Sequence, residues 1–498
     1  MRLIQYLVFD PQRVGVRLER LLVFVMPFAL ASLLVSAAGG AGGGQFDPSF
    51  GSGGKKVVDL GHTEEAFDLA VQPDGKLVLA GTRDHSQALV VRLNPDGSPD
   101  SSFGNGGVVV VPVALGFAVA LQADGKILVG AGSFGDLAVL RLLPDGRVDT
   151  AFGSEGRAFA NFGGADVAFA LTIQPDGKIV AVGRTNLPPS TEAGDFAVAR
   201  FNPDGGLDAS FDGDGRVRTD FGVAEDALDV VLQSDGKIVV VGAPGIYGSP
   251  WAVARYNVDG SLDSSFDGDG KVTTDFGGGA QGAWGVAMQP DGKIVVAGWK
   301  GEQGGPVRRG IALARYLPDG SMDRTFSGDG RAVASLANSD TGRDVVLQAN
   351  GKIVVAGQTG GDPDFMLMRF LPDGRLDPSF ADVGYLQTDF GGHDAAWAVA
   401  LDRQAHIIGA GESRAETTGG DITVASVPVG TCVVPRLSRA TLAEATGMLE
   451  RAGCRLGDAH RIKSRTVKRG RIVAQSPRPT TRLDDFAPVN VTLSRGKR

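Results

Sequence analysis

A five-residue phrase, Gln72-Pro73-Asp74-Gly75-Lys76, returns along the chain with its glutamine at 122, 174, 233, 289 and 348, and a degraded copy, Asp402-Arg403-Gln404-Ala405-His406, ends the series. Successive copies lie 50 to 59 residues apart. A second phrase, Asp-x-x-Phe, falls at Asp47…Phe50, Asp100…Phe103, Asp149…Phe152, Asp208…Phe211, Asp263…Phe266, Asp323…Phe326 and Asp377…Phe380. Two independent markers therefore each count seven. A fixed period of this size marks a propeller or a solenoid, whose units bury their apolar faces only against one another. The 74 glycines show no Gly-X-Y period, which excludes collagen, and apolar residues recur too often for wholesale disorder.

Within one copy the strands are readable. Trp284 to Gln289 is a β-rich run ended by the tight-turn residues Pro290-Asp291-Gly292. Lys293 to Gly298 follows with β-branched residues, then Ile311 to Tyr316, ended by Pro318-Asp319-Gly320. A fourth, more polar strand follows the Asp-x-x-Phe loop, as in Lys271 to Phe276. Four short strands per period make one propeller blade. The first two are nearly continuous apolar runs, expected to lie deepest, with small residues (Ala70, Ala120, Ala287, Ala400) where crowding is greatest. The polar fourth strand belongs on the rim. The first copy begins with a rim strand near Lys55 to Leu60, whereas the last ends at its third strand, near Ile422 to Val427. The expectation is an all-β, seven-bladed β-propeller closed by the N-terminal outer strand, because closure removes open edges. An open solenoid is the alternative.

Asp-x-Ser-Phe-Gly, Gln-Pro-Asp-Gly-Lys-Ile-Val-Val-Ala-Gly and Ala-Arg-Tyr-x-x-Asp-Gly together resemble the delta-60 repeat of bacterial surface and secreted proteins, over roughly residues 46–429. The resemblance implies a β-propeller-like scaffold and supplies no common activity or catalytic motif. Beyond it, Val434-Pro435 leads into Thr441-Leu442-Ala443-Glu444, a capping-box helix start. Leu442, Ala445, Leu449 and Ala452 share a helical face, and Gly453 is a natural stop. Strands are expected near Cys454–Ile462, Ile472–Ser476 and Val489–Ser494. With Ala-Gly-x-x-x-Gly and Gln-Ser-Pro, residues 433–496 resemble a PASTA domain, a small α+β module of exported bacterial proteins that in several cases recognises peptidoglycan fragments. One departure stands out: the usual Pro-x-x-Gly turn reads Pro477-Arg478-Pro479-Thr480.

Arg13, Arg17 and Arg20 precede an apolar run from Leu21 to Ala38, interrupted by Pro27 and ending in small residues. This has the form of an export signal; an uncleaved anchor or a buried helix are the other readings. The domain reading is 1–38 signal or anchor, 39–45 Gly-rich linker, 46–430 seven-repeat propeller, and 431–498 PASTA-like domain. From Cys432 onward there are 15 Lys and Arg against 5 Asp and Glu, while the rest carries 34 against 52. An acidic body and a basic tail prefer different partners. Peptidoglycan or another anionic wall polymer is the expected partner of the tail domain, and an unknown protein or glycan that of the propeller. No nucleic acid is expected, and a membrane only if the N-terminal segment stays uncleaved.

Cys432 and Cys454 bracket the helix and are the only cysteines, so an exported chain would pair them as a disulfide; free thiols or a metal role are the alternatives. Asp212-Gly213-Asp214-Gly215 and Asp267-Gly268-Asp269-Gly270 resemble the start of calcium loops, but equivalent copies lack the carboxylates, and turn glycines account for them. Arg92, Arg141, Arg200, Arg255, Arg315 and Arg369 hold one third-strand position and are read as pairing with the Asp-x-x-Phe aspartates. Asp68, Asp229 and Asp344 stand four residues before their anchors, where other copies have Ala or Gly, and are candidate channel-mouth residues. No nucleophile–base set or phosphate loop is found, so no catalytic residue, cofactor or metal is assigned. The leading expectation is a non-enzymatic exported scaffold whose tail domain docks on the cell wall, secreted or held at the surface. The alternative is a propeller enzyme acting on a sugar, lactone or wall component, which needs polar groups converging at one channel mouth. A third reading makes the propeller a spacer or a self-associating layer.

Overall fold

Pro73-Asp74-Gly75 reverses the chain between two apolar runs. Gly75 takes φ of 88°, and the Gln72 amide donates to the Lys76 carbonyl at 2.8 Å. The flanking runs are the antiparallel strands Glu64–Val71 and Leu77–Arg83, joined in one sheet by Gln87–Leu93 and Val108–Pro112. The computed structural model describes residues 45–496 except 113, 134, 187–193, 224, 245–249, 278, 303–308, 337–338, 362, 416–418, 429–430, 453 and 485–487, and except the side chains of 186, 244, 415, 431–433, 450, 451, 455, 482–484 and 488. The expected signal and most of the linker lie outside the described residues. No helix among the described residues is long and apolar enough to cross a membrane.

Seven four-stranded antiparallel sheets recur among the described residues, here numbered I to VII in the order of their first strands. Those first strands are Glu64–Val71, Leu115–Leu121, Ala165–Ile173, Glu225–Leu232, Gln281–Met288, Thr341–Leu347 and His393–Leu401. Sheet VII draws on distant parts of the chain: Ile407–Ala415 and Gly419–Val427 follow its first strand, and Lys55–Val58 pairs with the last of these, from Lys55↔Ala425 to Val58↔Ile422. This is the pairing the sequence predicted for the N-terminal strand.

Apolar cores form between sheets, because each sheet is hydrophobic on both faces. Val78 and Val90 of sheet I pack with Val119 and Val129 of sheet II, and the remaining cores follow the same plan. One core joins the extremes of the series: Phe50, Val58, Leu79 and Leu89 pack with Ala398, Ile408, Ile422 and Val424. Burial peaks on the second and third strands, where Ile238, Val239, Val240 and Val241 are 0% exposed. The sequence placed it on the first two. First strands stay half-exposed at alternate positions, as in Glu225–Leu232, because one of their edges has no strand partner.

Every first strand carries a β-bulge five residues before its anchor position, at Phe67, Phe117, Phe169, Leu228, Trp284, Arg343 and Trp397. A bulge leaves one residue without a partner and re-aims its side chain. The Asp-x-x-Phe loop locks each sheet to its follower. In sheet III, Arg200 bonds Asp208 at 2.6 Å, stacks on Phe211 at 4.5 Å and donates to the Val258 carbonyl of sheet IV's turn.

The C-terminal region has its own core of Val434, Leu437, Ala445, Leu449, Cys454, Ile472, Val489, Val491 and Leu493. Its helix, Leu442–Arg451, starts with a reciprocal capping box: the Thr441 amide donates to Glu444 at 2.7 Å, and the Glu444 amide to the Thr441 hydroxyl at 3.2 Å. Strands Arg455–Ile462, Ile472–Ser476 and Pro488–Ser494 form one sheet, close to the expected bounds. Two short strands, Thr431–Val433 and Arg482–Asp484, pair as well; at three residues each they fall below what periodicity reveals. Thr480 fills the missing glycine position with φ of 67°, inside the left-handed region.

Candidate functional site

The bulged side chains converge. Phe67 of sheet I meets Phe117 of sheet II at 5.5 Å between centroids and Trp397 of sheet VII at 5.1 Å. Phe117 meets Phe169 of sheet III at 5.3 Å, and Trp284 of sheet V meets Trp397 at 5.7 Å. Sheets V and VII are not consecutive, so their rings meet only where first strands face a shared centre. Sheet VI contributes Arg343, whose guanidinium lies 3.4 Å from the Trp397 centroid and 5.0 Å from that of Trp284. Such cation–π contacts strengthen as water is excluded. Burial, with the Arg414 and Arg309 charges, lowers Arg343 to about 9, so it remains a cation at neutral pH. Its Nη2 donates to Gln358 at 2.9 Å.

Beside this stack lies a pair of carboxyl groups. Glu65, on the first strand of sheet I, and Glu412, on the second strand of sheet VII, are 4% and 5% exposed. Arg414 bridges them, with Nη2 to Glu65 at 2.5 Å and Nε to Glu412 at 2.9 Å. Trp397 Nε1 donates to Glu412 at 3.2 Å, and His85 approaches Glu65 at 3.4 Å. Their environments push the two acids apart. Burial raises Glu65, but the His85 hydrogen bond and Arg414 outweigh it and hold it down at about 2. Burial and the Glu65 charge drive Glu412 up to about 7. One carboxylate is thus ionised while its neighbour titrates near neutrality, an arrangement that can hold and move a proton.

Asp68, Asp229 and Asp344 each follow a bulged residue directly, and each joins two sheets. Asp68 accepts from its own Leu69 amide and from Val119 of sheet II, both at 2.7 Å. Asp229 does the same with Val230 and with Val286 of sheet V, and Asp344 with Val345 and with Val399 of sheet VII. Burial raises Asp68 to about 7, Asp344 to about 6, and Asp229 well above the ordinary range. The Asp344 charge raises both Asp68 and Asp229, which places the three near one another. All are committed to backbone amides, so their first role is to hold first strands together.

The arginines recur as read. Arg92, Arg141, Arg200, Arg255, Arg315 and Arg369 bond Asp100, Asp149, Asp208, Asp263, Asp323 and Asp377 at 2.6–2.8 Å. The Asp-Gly segments are turns: Asp212 and Asp267 adopt φ of 49° and 51° where three other copies have glycine and two have Ser327 and Ala381, and Asp214 and Asp269 accept the amides two residues on. Cys454 is fully buried, and no described cysteine is a free thiol; the Cys432 side chain lies outside the described residues. In the C-terminal region a cavity of about 270 Å³ is lined by Arg436, Ser438, Ile472, Val473, Ala474, Gln475 and Pro479.

The sequence reading missed Trp284, Arg343, Trp397, Glu65, Glu412 and Arg414. A signal existed for the first three: they hold the position five before the anchor, where the other copies place Phe or Leu. Glu412 and Arg414 share one face of a strand, but nothing local marks Glu65 as their neighbour.

A family model described as a domain of unknown function (DUF5122) beta-propeller matches residues 72–103, 122–152, 174–211, 233–266, 289–326 and 348–380, and a PASTA domain model matches 433–495. The chain carries DUF5122 β-propeller repeats and a PASTA domain. Each DUF5122 match runs from the anchor glutamine to the phenylalanine of Asp-x-x-Phe. The seventh repeat in the sequence has its anchor phrase at Asp402 and its Asp-x-x-Phe at Asp47, so no continuous segment spells it. Similar solved structures include a selenomethionine-substituted virginiamycin B lyase from Staphylococcus aureus, at 11% identity over 74% of this chain and 98% of that one, with a TM-score of 0.45. A glucose dehydrogenase matches at 10% identity over 74% and 98%, with a TM-score of 0.40. The plexin A4 extracellular region matches at 10% over 78% and 52%, with a TM-score of 0.42. No curated protein matches the sequence.

Proposed function

We propose that this is an exported, wall-associated binding scaffold. In this reading the seven sheets close into a seven-bladed propeller, supported by the Lys55–Val58 pairing and by the core shared between sheets I and VII. The PASTA domain docks on peptidoglycan or another anionic wall polymer through its basic surface, and a Cys432–Cys454 disulfide staples its helix. The propeller's centre receives a glycan or a protein segment. The observation that carries this is the Trp284–Arg343–Trp397 stack beside the Glu65–Glu412 pair, since aromatic faces flanked by fixed polar groups suit a ligand with apolar ring faces and hydroxyls.

The test uses the full chain. It is expected to sediment with purified peptidoglycan and to release at high salt, and the exposed-site variant K463E/R465E/K468E is expected to stay in the supernatant. Quenching of tryptophan emission by soluble wall glycan strands is expected in the parent and lost in R343A. Salt-insensitive sedimentation, or sedimentation unchanged in the triple variant, overturns wall docking through the basic surface.

The Glu65–Glu412 pair favours a second reading, in which the centre hydrolyses or eliminates a sugar or lactone ligand, with Glu412 as proton donor. Turnover of a wall glycan that disappears in E412Q while glycan binding persists would support it.

A further inference from the structure

We propose that Arg343 is the carboxylate receptor of the centre shared by the first strands, and that the glycan taken there is an acidic sugar, a pyranose ring carrying one carboxylate. This rests on the centre being a glycan site. Each first strand offers one bulged side chain, and six of the seven are Phe, Leu or Trp. Sheet VI alone brings a charge. The backbone that carries it is held between two sheets: Asp344, next in sequence, accepts from the Val345 amide at 2.6 Å and from the Val399 amide of sheet VII at 2.7 Å. Trp397 covers the guanidinium at 3.4 Å, and Trp284 lies 5.0 Å away. What a ligand can meet is therefore the edge, where the N–H groups point outward in the guanidinium plane.

That edge is short of acceptors. Nη2 donates to the neutral Gln358 at 2.9 Å, Nε is buried and donates to nothing, and Arg343 forms no ion pair among the described residues. Other arginines of the interior are matched. The six third-strand arginines each have an aspartate at 2.6–2.8 Å, Arg184 has Asp226 at 3.4 Å, and Arg414 has both Glu65 and Glu412. The Glu412 charge favours Arg343, but its two oxygens are bonded to Arg414 and to the Trp397 indole. An unmatched Nε does not by itself single out Arg343, since Arg157 and Arg331 share it. Those two open rim strands, where five of the seven copies carry Lys or Arg, whereas Arg343 breaks the pattern of its ring and lies among indoles.

A buried cation without an anion is costly, and a carboxylate offsets that cost through two parallel charge-assisted hydrogen bonds. The planar fork suits a planar acid approaching edge-on, while the indoles suit the apolar face of the ring that bears it. The local charge agrees. Arg309, stacked on Trp299 at 4.2 Å, and Arg414 both act on Arg343 as like charges. Three cations thus gather beside one carboxylate held ionised, Glu65, and one that titrates near neutrality, Glu412. An arriving anion relieves the repulsion among them.

The full chain is titrated at constant ionic strength with glucuronate, glucuronamide, N-acetylmuramate, N-acetylglucosamine, glucose 6-phosphate and the acidic peptide acetyl-Gly-Glu-amide, following tryptophan emission. All four tryptophans precede the basic C-terminal domain, so binding there does not enter the signal. Glucuronate or N-acetylmuramate is expected to bind at least ~10-fold more tightly than glucuronamide or N-acetylglucosamine, the scale of one hydrogen bond to a charged group. Whichever acid binds more tightly shows whether the carboxylate sits on a ring carbon or on an ether arm, and either supports the proposal. R343L, which copies Leu228 of sheet IV, is expected to bind the acids no better than the amide. R343K is expected to keep only part of the preference, because an ammonium lacks the fork. Equal binding of acid and amide by the parent overturns the proposal and leaves a glycan site standing; quenching by none of the sugars overturns both. A preference that survives in R343L overturns it too, as does tighter binding of glucose 6-phosphate or of the peptide.

Discussion

At the scale of single residues, the repeated Arg–Asp–Phe contact buries a charged pair in each of six sheets. Arg200 is 2% exposed, and Asp208 is paired with both Arg200 and Lys178. Burial alone would raise Asp208, but the Ser210 hydroxyl and amide and the two cations hold it well below the usual range. The other five aspartates are lowered in the same way. A depressed carboxylate stabilises the fold above its unfolded value and loses that contribution as pH falls through its folded value, so these six make the fold acid-sensitive below about pH 4. Replacing Arg200 with methionine leaves Asp208 only Lys178, and a loss of about 3 kcal/mol is expected in urea unfolding, the lower end for breaking a buried pair. The double variant R200M/D208N is expected to recover more than half of it. Equal losses in both would mean that packing on Phe211, rather than charge, dominates.

At the scale of the element, the N-terminal strand is held differently from its counterparts. Elsewhere the Asp-x-x-Phe aspartate meets a permanent Arg and Lys. Here Asp47 faces Ser426 at the arginine position and His406 at the lysine position, with Nδ1 at 3.6 Å from Asp47 and 3.2 Å from Asp402. The Asp402 hydrogen bond raises His406 against the opposing effect of burial, and the Asp402 and Asp47 charges add to it. A raised histidine stabilises most below its unfolded value of about 6.5 and loses that contribution as pH rises through its folded value. Amide exchange at Asp47 and Gly54, corrected for intrinsic rates, is therefore expected to quicken between pH 6 and pH 8.5, and H406K to remove the pH dependence. An unchanged pH dependence in H406K would assign it elsewhere. The pairing of this strand was legible because the repeat count left one unit lacking a rim strand and one rim strand lacking a unit. Its titrating contact was not, since Asp47 and His406 are 359 positions apart.

At the scale of the whole molecule, the core shared by sheets I and VII decides how the series ends. Phe50 and Val58 are 1% and 6% exposed, and burying each contributes roughly 1.5–3 kcal/mol. Removing residues 1–58 uncovers the Gly419–Val427 edge as well as this core. The shortened chain is expected to lose about 4 kcal/mol and to self-associate through the open strand in light scattering, since unpaired edges template pairing. A monomer of unchanged stability would contradict closure by this strand.

Strand order, sheet size, the Arg–Asp contact and the capping box were all present in the sequence, because each depends on residues at fixed short offsets that the chain repeats or spells out locally. What only the tertiary structure decided is which exceptions to the repeat meet. Offset from the anchor sets a residue's height on its sheet, and the packing of sheet upon sheet sets its neighbour. Glu65 thus reaches Arg414 across 349 positions, Trp284 reaches Trp397 past an intervening sheet, and Glu225 meets Asp195 and Asp220 of the preceding sheet.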